Sequence, residues 1–257
     1  RYLAEISNLS LDRCMPFVGR SAFAHKGGMH IDGVLKETSS FEHLEPERIG
    51  NKRRFLLSEV SGKSTVLEKV QKIDPKLQKN STETQKIINR LKELEHKGYQ
   101  FEAAESSFEL MVRKYLGKFR PFFQLDNFKT ISEQSTRNGD ITSSAVIKVR
   151  VDRKQEITAA EGKGPVNALD RALRKALEVF YPQLKEMRLT DFKVRVINPE
   201  DTTAAKVRVL IESTDGNDTW TTIGVSTDII EASCVALVDS IEYKLMRDIE
   251  KKFKDFM

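Results

Sequence analysis

Two histidines, His25 and His30, fall within the stretch SAFAHKGGMHIDGVL, with Lys26 and the pair Gly27 and Gly28 between them. Imidazole is the side chain best suited to moving a proton near neutral pH, and it is also a common metal ligand. The spacing disfavours a shared metal: rings five positions apart do not align on one helix face as rings four apart would, and no glutamate lies between them. The two glycines with Lys26 could turn backbone N–H groups toward an anion, although tight-turn chemistry explains the same residues. For each histidine a packed or capping role is the plain alternative.

A second chemical candidate is EGKGPVNAL, where Gly162 and Gly164 precede Pro165. The pattern predicts a tight loop running into a helix N-terminus. Free N–H groups there suit a carboxylate, for instance that of an amino acid, and an ordinary helix start accounts for the residues equally well. The run GKST at 62–65 looks like the end of a phosphate-binding loop, but that motif needs a glycine where the chain has Leu57. The phosphate-loop reading is therefore excluded.

Elements must hold these residues, and the 257 residues suffice for one large or two ordinary domains with self-sufficient cores. With 39% hydrophobic and 32% charged residues the chain reads as soluble and globular. No apolar run approaches the roughly 20 residues of a membrane span, so no membrane role is expected. The 43 basic and 38 acidic residues are interspersed, without the basic block expected of a nucleic-acid binder. Cys14 and Cys234 lie too far apart to show a local pattern, which fits a reduced, cytoplasmic setting. The opening RYLAEISNLSLDRC has neither an initiator methionine nor a signal-peptide layout, and the expectation is a piece of a longer chain.

Three regions follow from composition. Residues 1–62 carry polar punctuation such as HKGGMH and EPERIGNKRR and read as short helices joined by ordered loops. Residues 63–120 read as helical. There Thr82 and Gln85 form a capping-box pattern, Ile87, Ile88, Leu91 and Leu94 recur until Gly98, and a second helix carries Phe108, Met111, Val112 and Tyr115 before Gly117. Residues 121–257 change character. Val-Arg-Val occurs at 149–151, 194–196 and 207–209 inside alternating runs that predict half-buried strands. A shift of 64 positions places Ala168, Ala172, Leu173 and Leu177 on Ala232, Ala236, Leu237 and Ile241. The region is thus read as two strands-then-helix units packed together, an α+β fold whose pseudo-twofold symmetry suits a small ligand at a junction, or else a dimerisation scaffold without one.

The segments VGRSAFAHKGGMHIDGVLK, EHLEPERIGNKRRFLLSEVSGKS, EGKGPVNALDRALRKAL and DTTAAKVRVLIESTDGNDTWTTIGVSTDIIEASCVALVDSIEYKL cover nearly the whole chain. Together they resemble the C-terminal part of the 2-isopropylmalate synthase and citramalate synthase family, most closely its long-form (R)-citramalate synthases. The resemblance implies linker subdomain I at 1–62, a helical linker subdomain II at 63–120, and an allosteric regulatory and dimerisation domain of two βββα repeats at 121–257. The family's catalytic (β/α)8 barrel, with its divalent Mg or Mn, is missing from these residues, so no cofactor and no activity of its own are expected of this chain.

In the family's citramalate synthases, acetyl-CoA and pyruvate give (R)-citramalate for isoleucine biosynthesis and isoleucine inhibits by feedback, and the resemblance implies the same here. The resemblance implies a homodimer, with His30 as the linker histidine that reaches the partner subunit's barrel for acid/base chemistry and His25 as a supporting neighbour. Phe41 stands where many relatives have a tyrosine. The implied effector pocket comprises Gly162, Gly164, Val166 and Asn167, then Leu189, Asp191, Phe192 and Val196, with Val225, Thr227 and Ile229 from the second repeat. Two alternatives stay open: an isopropylmalate synthase region that senses leucine, and a ligand-free dimerisation module. Leucine and isoleucine differ in the placement of one methyl group, worth only about 1–3 kcal/mol in an apolar pocket.

Overall fold

A computed structural model describes residues 12, 14–19, 21–25, 27–55, 63–75, 77–78, 81–134 and 141–255. Lys26, Leu57 and Gly62, which bear on the anion and phosphate-loop readings, lie outside the described residues. The chain forms two compact units, Arg1–Lys92 and Glu93–Met257. Residues from Gly98 onward pack on the strands of the second unit.

In the first unit, β1 (Ala24–His25) pairs in parallel with β2 (Arg54–Phe55). Three helices accompany them: α1 (Gly28–Lys36), α2 (Lys63–Ile73) and α3 (Thr82–His96). Ile31 and Val34 of α1, Val66 and Val70 of α2, and Ile87, Ile88 and Leu91 of α3 are buried, each set at helical spacing. The loops between them are ordered by specific bonds. Asn51 Nδ2, for example, donates to the carbonyls of Phe17 at 2.7 Å and Gly19 at 3.0 Å. The capping expectation is corrected by one residue: Ser81 Oγ accepts from Thr84 N at 3.1 Å, while Gln85 turns outward to Asn89. Ser81 is the cap because its carbonyl already accepts the first intrahelical bond, from Gln85 N.

The second unit consists of two antiparallel meanders, each followed by a helix. β3 (Gln124–Gln134), β4 (Ile141–Val151) and β5 (Lys154–Gly162) lead into α5 (Pro165–Leu177). β6 (Arg188–Val196), β7 (Val207–Thr214) and β8 (Thr219–Ser226) lead into α6 (Ile229–Asp255). All three Val-Arg-Val runs lie in strands. The repeat extends to detail, with one 64-position shift throughout. A bulge between Leu125 and Asn127 in β3 recurs between Leu189 and Asp191 in β6. Thr158 Oγ1 donates to the Ala172 carbonyl at 2.8 Å, and Thr222 Oγ1 to the Ala236 carbonyl, also at 2.8 Å. One core joins both repeats, with Ile147, Leu169 and Leu173 of the first and Ile211, Ala236 and Leu237 of the second fully enclosed.

The two sheets differ in what covers their outer faces. The outer face of the second sheet is met by the chain before α4 (Glu105–Tyr115): Arg208 donates through Nε to the Gly98 carbonyl at 2.6 Å and through Nη1 to Gln100 Oε1 at 2.7 Å. α4 itself lies along the β8 edge, where Ile223 N donates to Ser107 Oγ at 3.1 Å and Ser107 Oγ donates to Asp239 Oδ2 at 3.0 Å. These bonds rotate α4 so that Ser107, Leu110 and Val112 are buried and Tyr115 is exposed, correcting the expectation that Tyr115 lies on the packed side. On the first sheet the equivalent face leaves Ile131, Val146 and Ile157 exposed.

Glu242 of α6, only 3% exposed, accepts from Phe122 N and so ties the chain entering β3 to the last helix. Burial pushes its carboxyl up to about 7, against the backbone hydrogen bonds of Phe122 and Phe123 and the charge of Lys114. An acid whose folded pKa lies above its unfolded value binds protons more tightly when folded. Its favourable contribution is therefore complete below about 4.5 and is lost as pH rises to about 7. Glu242→Gln should accordingly flatten stability across this window and gain on the order of 1–3 kcal/mol over the parent at pH 8, read by urea unfolding. A variant that loses stability at pH 8 would contradict the assignment.

Candidate functional site

His30 sits in the first turn of α1, exposed, after the extended Gly27. Its ring stacks on Phe41 with centroids 4.5 Å apart and planes at 27°. His25 is held apart on β1, where its Nε2 stands 2.8 Å from Glu42 Oε1; the carboxylate can only accept, so that nitrogen carries the hydrogen. Arg53 grips the same carboxylate twice, Nε to Oε1 at 2.8 Å and Nη2 to Oε2 at 2.5 Å. The Arg53 hydrogen bond, followed by that of His25, lowers the Glu42 pKa against the cost of burial. The two histidines thus take different partners, one clamped and one presented on a flat ring. Among the described residues no three His, Cys, Asp or Glu side chains converge as metal ligands. The sequence alone does not point to Glu42 and Arg53. They lie 11 positions apart, without any periodicity that would connect them.

In the second unit the two helix starts differ. Gly162 ends β5 so close to α5 that a Cβ would stand 2.4 Å from Ala168 N and 2.8 Å from Asn167 Oδ1, which only glycine avoids. Gly164 caps α5 in extended backbone and supplies no side chain, while Val166 packs against the core. Asn167 Oδ1 accepts from Lys163 N at 3.2 Å and so turns back on the loop. At the equivalent start of α6, Asp228 Oδ1 accepts from Ile230 N at 2.6 Å and Glu231 N at 3.3 Å. Of the two helix starts, α5 is the one that keeps its first-turn amides without a side-chain cap and so retains room for an external carboxylate.

The expected strand walls divide between faces. Directly paired residues share a face, so Phe192 (opposite Ile211), Val196 (opposite Val207) and Leu189 (opposite Ser213) lie on the helix side of the sheet. Asp191, opposite Glu212, lies on the outer side and hydrogen-bonds Lys193. The bulge brings Leu189 and Phe192 to the same side. α6 covers β7 and β8 but not β6, which leaves Phe192, Val194 and Val196 as an exposed apolar stripe. Val194 was not among the expected pocket residues. Val225 belongs to the outer face, near the backbone of Gly98, whereas Thr227 and Ile229 are exposed at the start of α6. None of these residues lines the open groove of about 1030 Å³ bordered by Ser144, Glu161, Arg171, Lys175, Glu178 and Lys185. No helix among the described residues is long and apolar enough to cross a membrane.

Residues 102–245 match the family model of the LeuA allosteric (dimerisation) domain, and residues 17–99 match the homocitrate synthase post-HMGL domain-like family. The junction between the two matches lies close to the division between the two units. The chain is 49% identical to an (R)-citramalate synthase of Aquifex aeolicus, over 97% of this chain and 47% of the relative. It is 48% identical to an (R)-citramalate synthase of Geobacter sulfurreducens, with the same coverage of 97% and 47%. A probable 2-isopropylmalate synthase of Methanosarcina mazei is 31% identical, over 88% of this chain and 42% of the relative. The chain spans about half the length of the curated relatives it matches.

Proposed function

The chain belongs to the family of the LeuA allosteric (dimerisation) domain, and on that premise we propose that it is the linker and regulatory portion of a cytoplasmic (R)-citramalate synthase. In this reading residues 1–62 and 63–120 are the linkers and 121–257 the regulatory domain, which forms a homodimer and lowers the synthase rate when isoleucine binds. The condensation of acetyl-CoA with pyruvate belongs to the barrel, which holds the divalent metal. His30 adds proton transfer there from the linker, and these residues alone do not catalyse. The contrast between 48–49% identity to citramalate synthases and 31% to an isopropylmalate synthase supports isoleucine as the effector.

The observation that carries the regulatory reading is the pairing of an uncapped α5 start with the bare stripe of Phe192, Val194 and Val196. The first offers N–H groups to the carboxylate of an amino acid, and the second offers an apolar wall to a branched side chain. Binding regulates only if isoleucine favours one arrangement of the linkers over another. Phe192→Ala should weaken isoleucine binding about tenfold or more, as expected for removing an aromatic wall worth on the order of 1.5–3 kcal/mol. Titration calorimetry on parent and variant reads it, and unchanged affinity in a folded variant would remove β6 from the site.

A further inference from the structure

We propose that Glu42 is a positioning residue for His30: clamped by Arg53 and His25, it holds the adjacent Phe41 ring against the imidazole. The inference rests on the reading of His30 as a proton-transfer group. A carboxylate only 4% exposed, with a guanidinium on both oxygens and an imidazole on one, is costly to desolvate and is weak evidence for stability in itself. What it does is fix one point of the chain. β1 and β2 pair so that His25 and Arg53 converge, and Glu42 locks onto both.

Phe41 lies between this clamp and a tight turn. Its own N–H and that of Glu42 donate to the Thr38 carbonyl at 3.3 and 3.1 Å, and Glu37 caps the turn by accepting from Ser39 N at 3.2 Å. With both ends fixed, the ring is directed back across α1. There it fills the space over Gly33, where a Cβ would stand 2.4 Å from Phe41 Cε2, and it meets the His30 ring at 4.5 Å. The ring is about half exposed, so enclosure by apolar neighbours does not hold it in place. The buried ionic clamp one residue away does. Its effect is to restrict the imidazole to one orientation, which proton transfer to a bound reactant requires.

Nuclear magnetic resonance of the His30 ring protons in this chain, assigned through His30→Gln, tests the clamp directly. Stacking on Phe41 should shift these signals upfield, and Phe41→Leu should abolish the shift and define the unstacked position. Glu42→Gln should move the signals most of the way to the Phe41→Leu position, and Arg53→Lys, which keeps the charge but loses the two-pronged contact, should move them part of the way. In the intact synthase the same Glu42→Gln should lower kcat about tenfold at unchanged KM. Unmoved His30 signals in a folded Glu42→Gln chain would overturn the clamp. Should that variant fail to fold, unmoved signals in Arg53→Lys would do the same. Moved signals with unchanged kcat would show that the clamp does not serve the reaction. If His30→Gln itself leaves kcat intact, the catalytic reading of His30 fails, while the ring signals still decide the geometry.

Discussion

Replacing Lys244 with methionine is expected to destabilise the second unit by about 3–5 kcal/mol, the usual cost of removing one partner from a buried ion pair. The Lys244 side chain is 5% exposed, with Nζ donating to Asp215 Oδ2 at 2.9 Å and to Asp248 Oδ1 at 2.6 Å. These bonds pin the β7–β8 turn onto α6. Burial alone would lower the Lys244 pKa, but the hydrogen bonds to Asp248 and Asp215 hold it above its ordinary value. Asp215 is drawn down to about 2, against its burial, by bonds from Asp218 N, Lys244 and Asn217 N. Methionine keeps the volume but leaves two largely buried carboxylates without the Lys244 charge, one of which, Asp248, already has an oxygen without a hydrogen-bond partner. In the parent, the contribution of Asp215 is present above pH 3.8 and is lost as pH falls toward 2. In the variant, without the Lys244 bond, that contribution should be smaller. Urea unfolding at pH 7 measures the main effect, and a change below about 1 kcal/mol would contradict it.

Gly224→Ala should be comparably damaging, for a steric reason. A Cβ at this position in β8 would stand 1.9 Å from the Ala232 carbonyl oxygen, 2.9 Å from its carbon and 3.1 Å from Ala236 N. All three are backbone atoms of α6, so no side chain can swing away, and the helix must lift off the sheet. Lifting it would also strain the bond from Thr222 Oγ1 to the Ala236 carbonyl. Overpacking of this kind costs about 3 kcal/mol or more. For a unit of this size that corresponds to a fall in Tm of about 10 °C, measured by scanning calorimetry. The first repeat has Ala160 at the equivalent position, so the same substitution is already tolerated there and the two repeats differ in how closely helix and sheet approach. A drop of less than about 2 °C in Gly224→Ala would show that α6 accommodates the methyl group.

The second unit was legible because its helices repeat a set of alanines and leucines at one fixed shift and its strands alternate around Val-Arg-Val. Burial imposes both patterns directly, the 3.6-residue period on the helices and the 2-residue period on the strands. Three features escaped that reading for identifiable reasons. Simple alternation would place Leu189 with Asp191 and against Phe192, but the bulge at Thr190 reverses the face and joins Leu189 to Phe192. Tyr115 has the spacing of a buried residue, yet the polar bonds of Ser107 set the rotation of α4. Glu42 and Arg53 carry no signal in EHLEPERIGNKRR, because they meet only in the folded chain, 11 positions apart and without a periodicity that connects them. His30 and the start of α5 stand out because histidine near glycines, and glycine before proline, are local patterns, while the roles expected of them came from the family resemblance.

The proposed role has the chain sense a branched-chain amino acid through its regulatory domain. Isothermal titration of the purified chain with isoleucine, leucine and valine in parallel tests it most directly. The account predicts saturable binding with isoleucine at least tenfold tighter than leucine, at a stoichiometry set by a dimer. A preference for leucine would move the chain to the isopropylmalate synthases, and no heat with any of the three, in a folded dimer, would leave a dimerisation module without an effector.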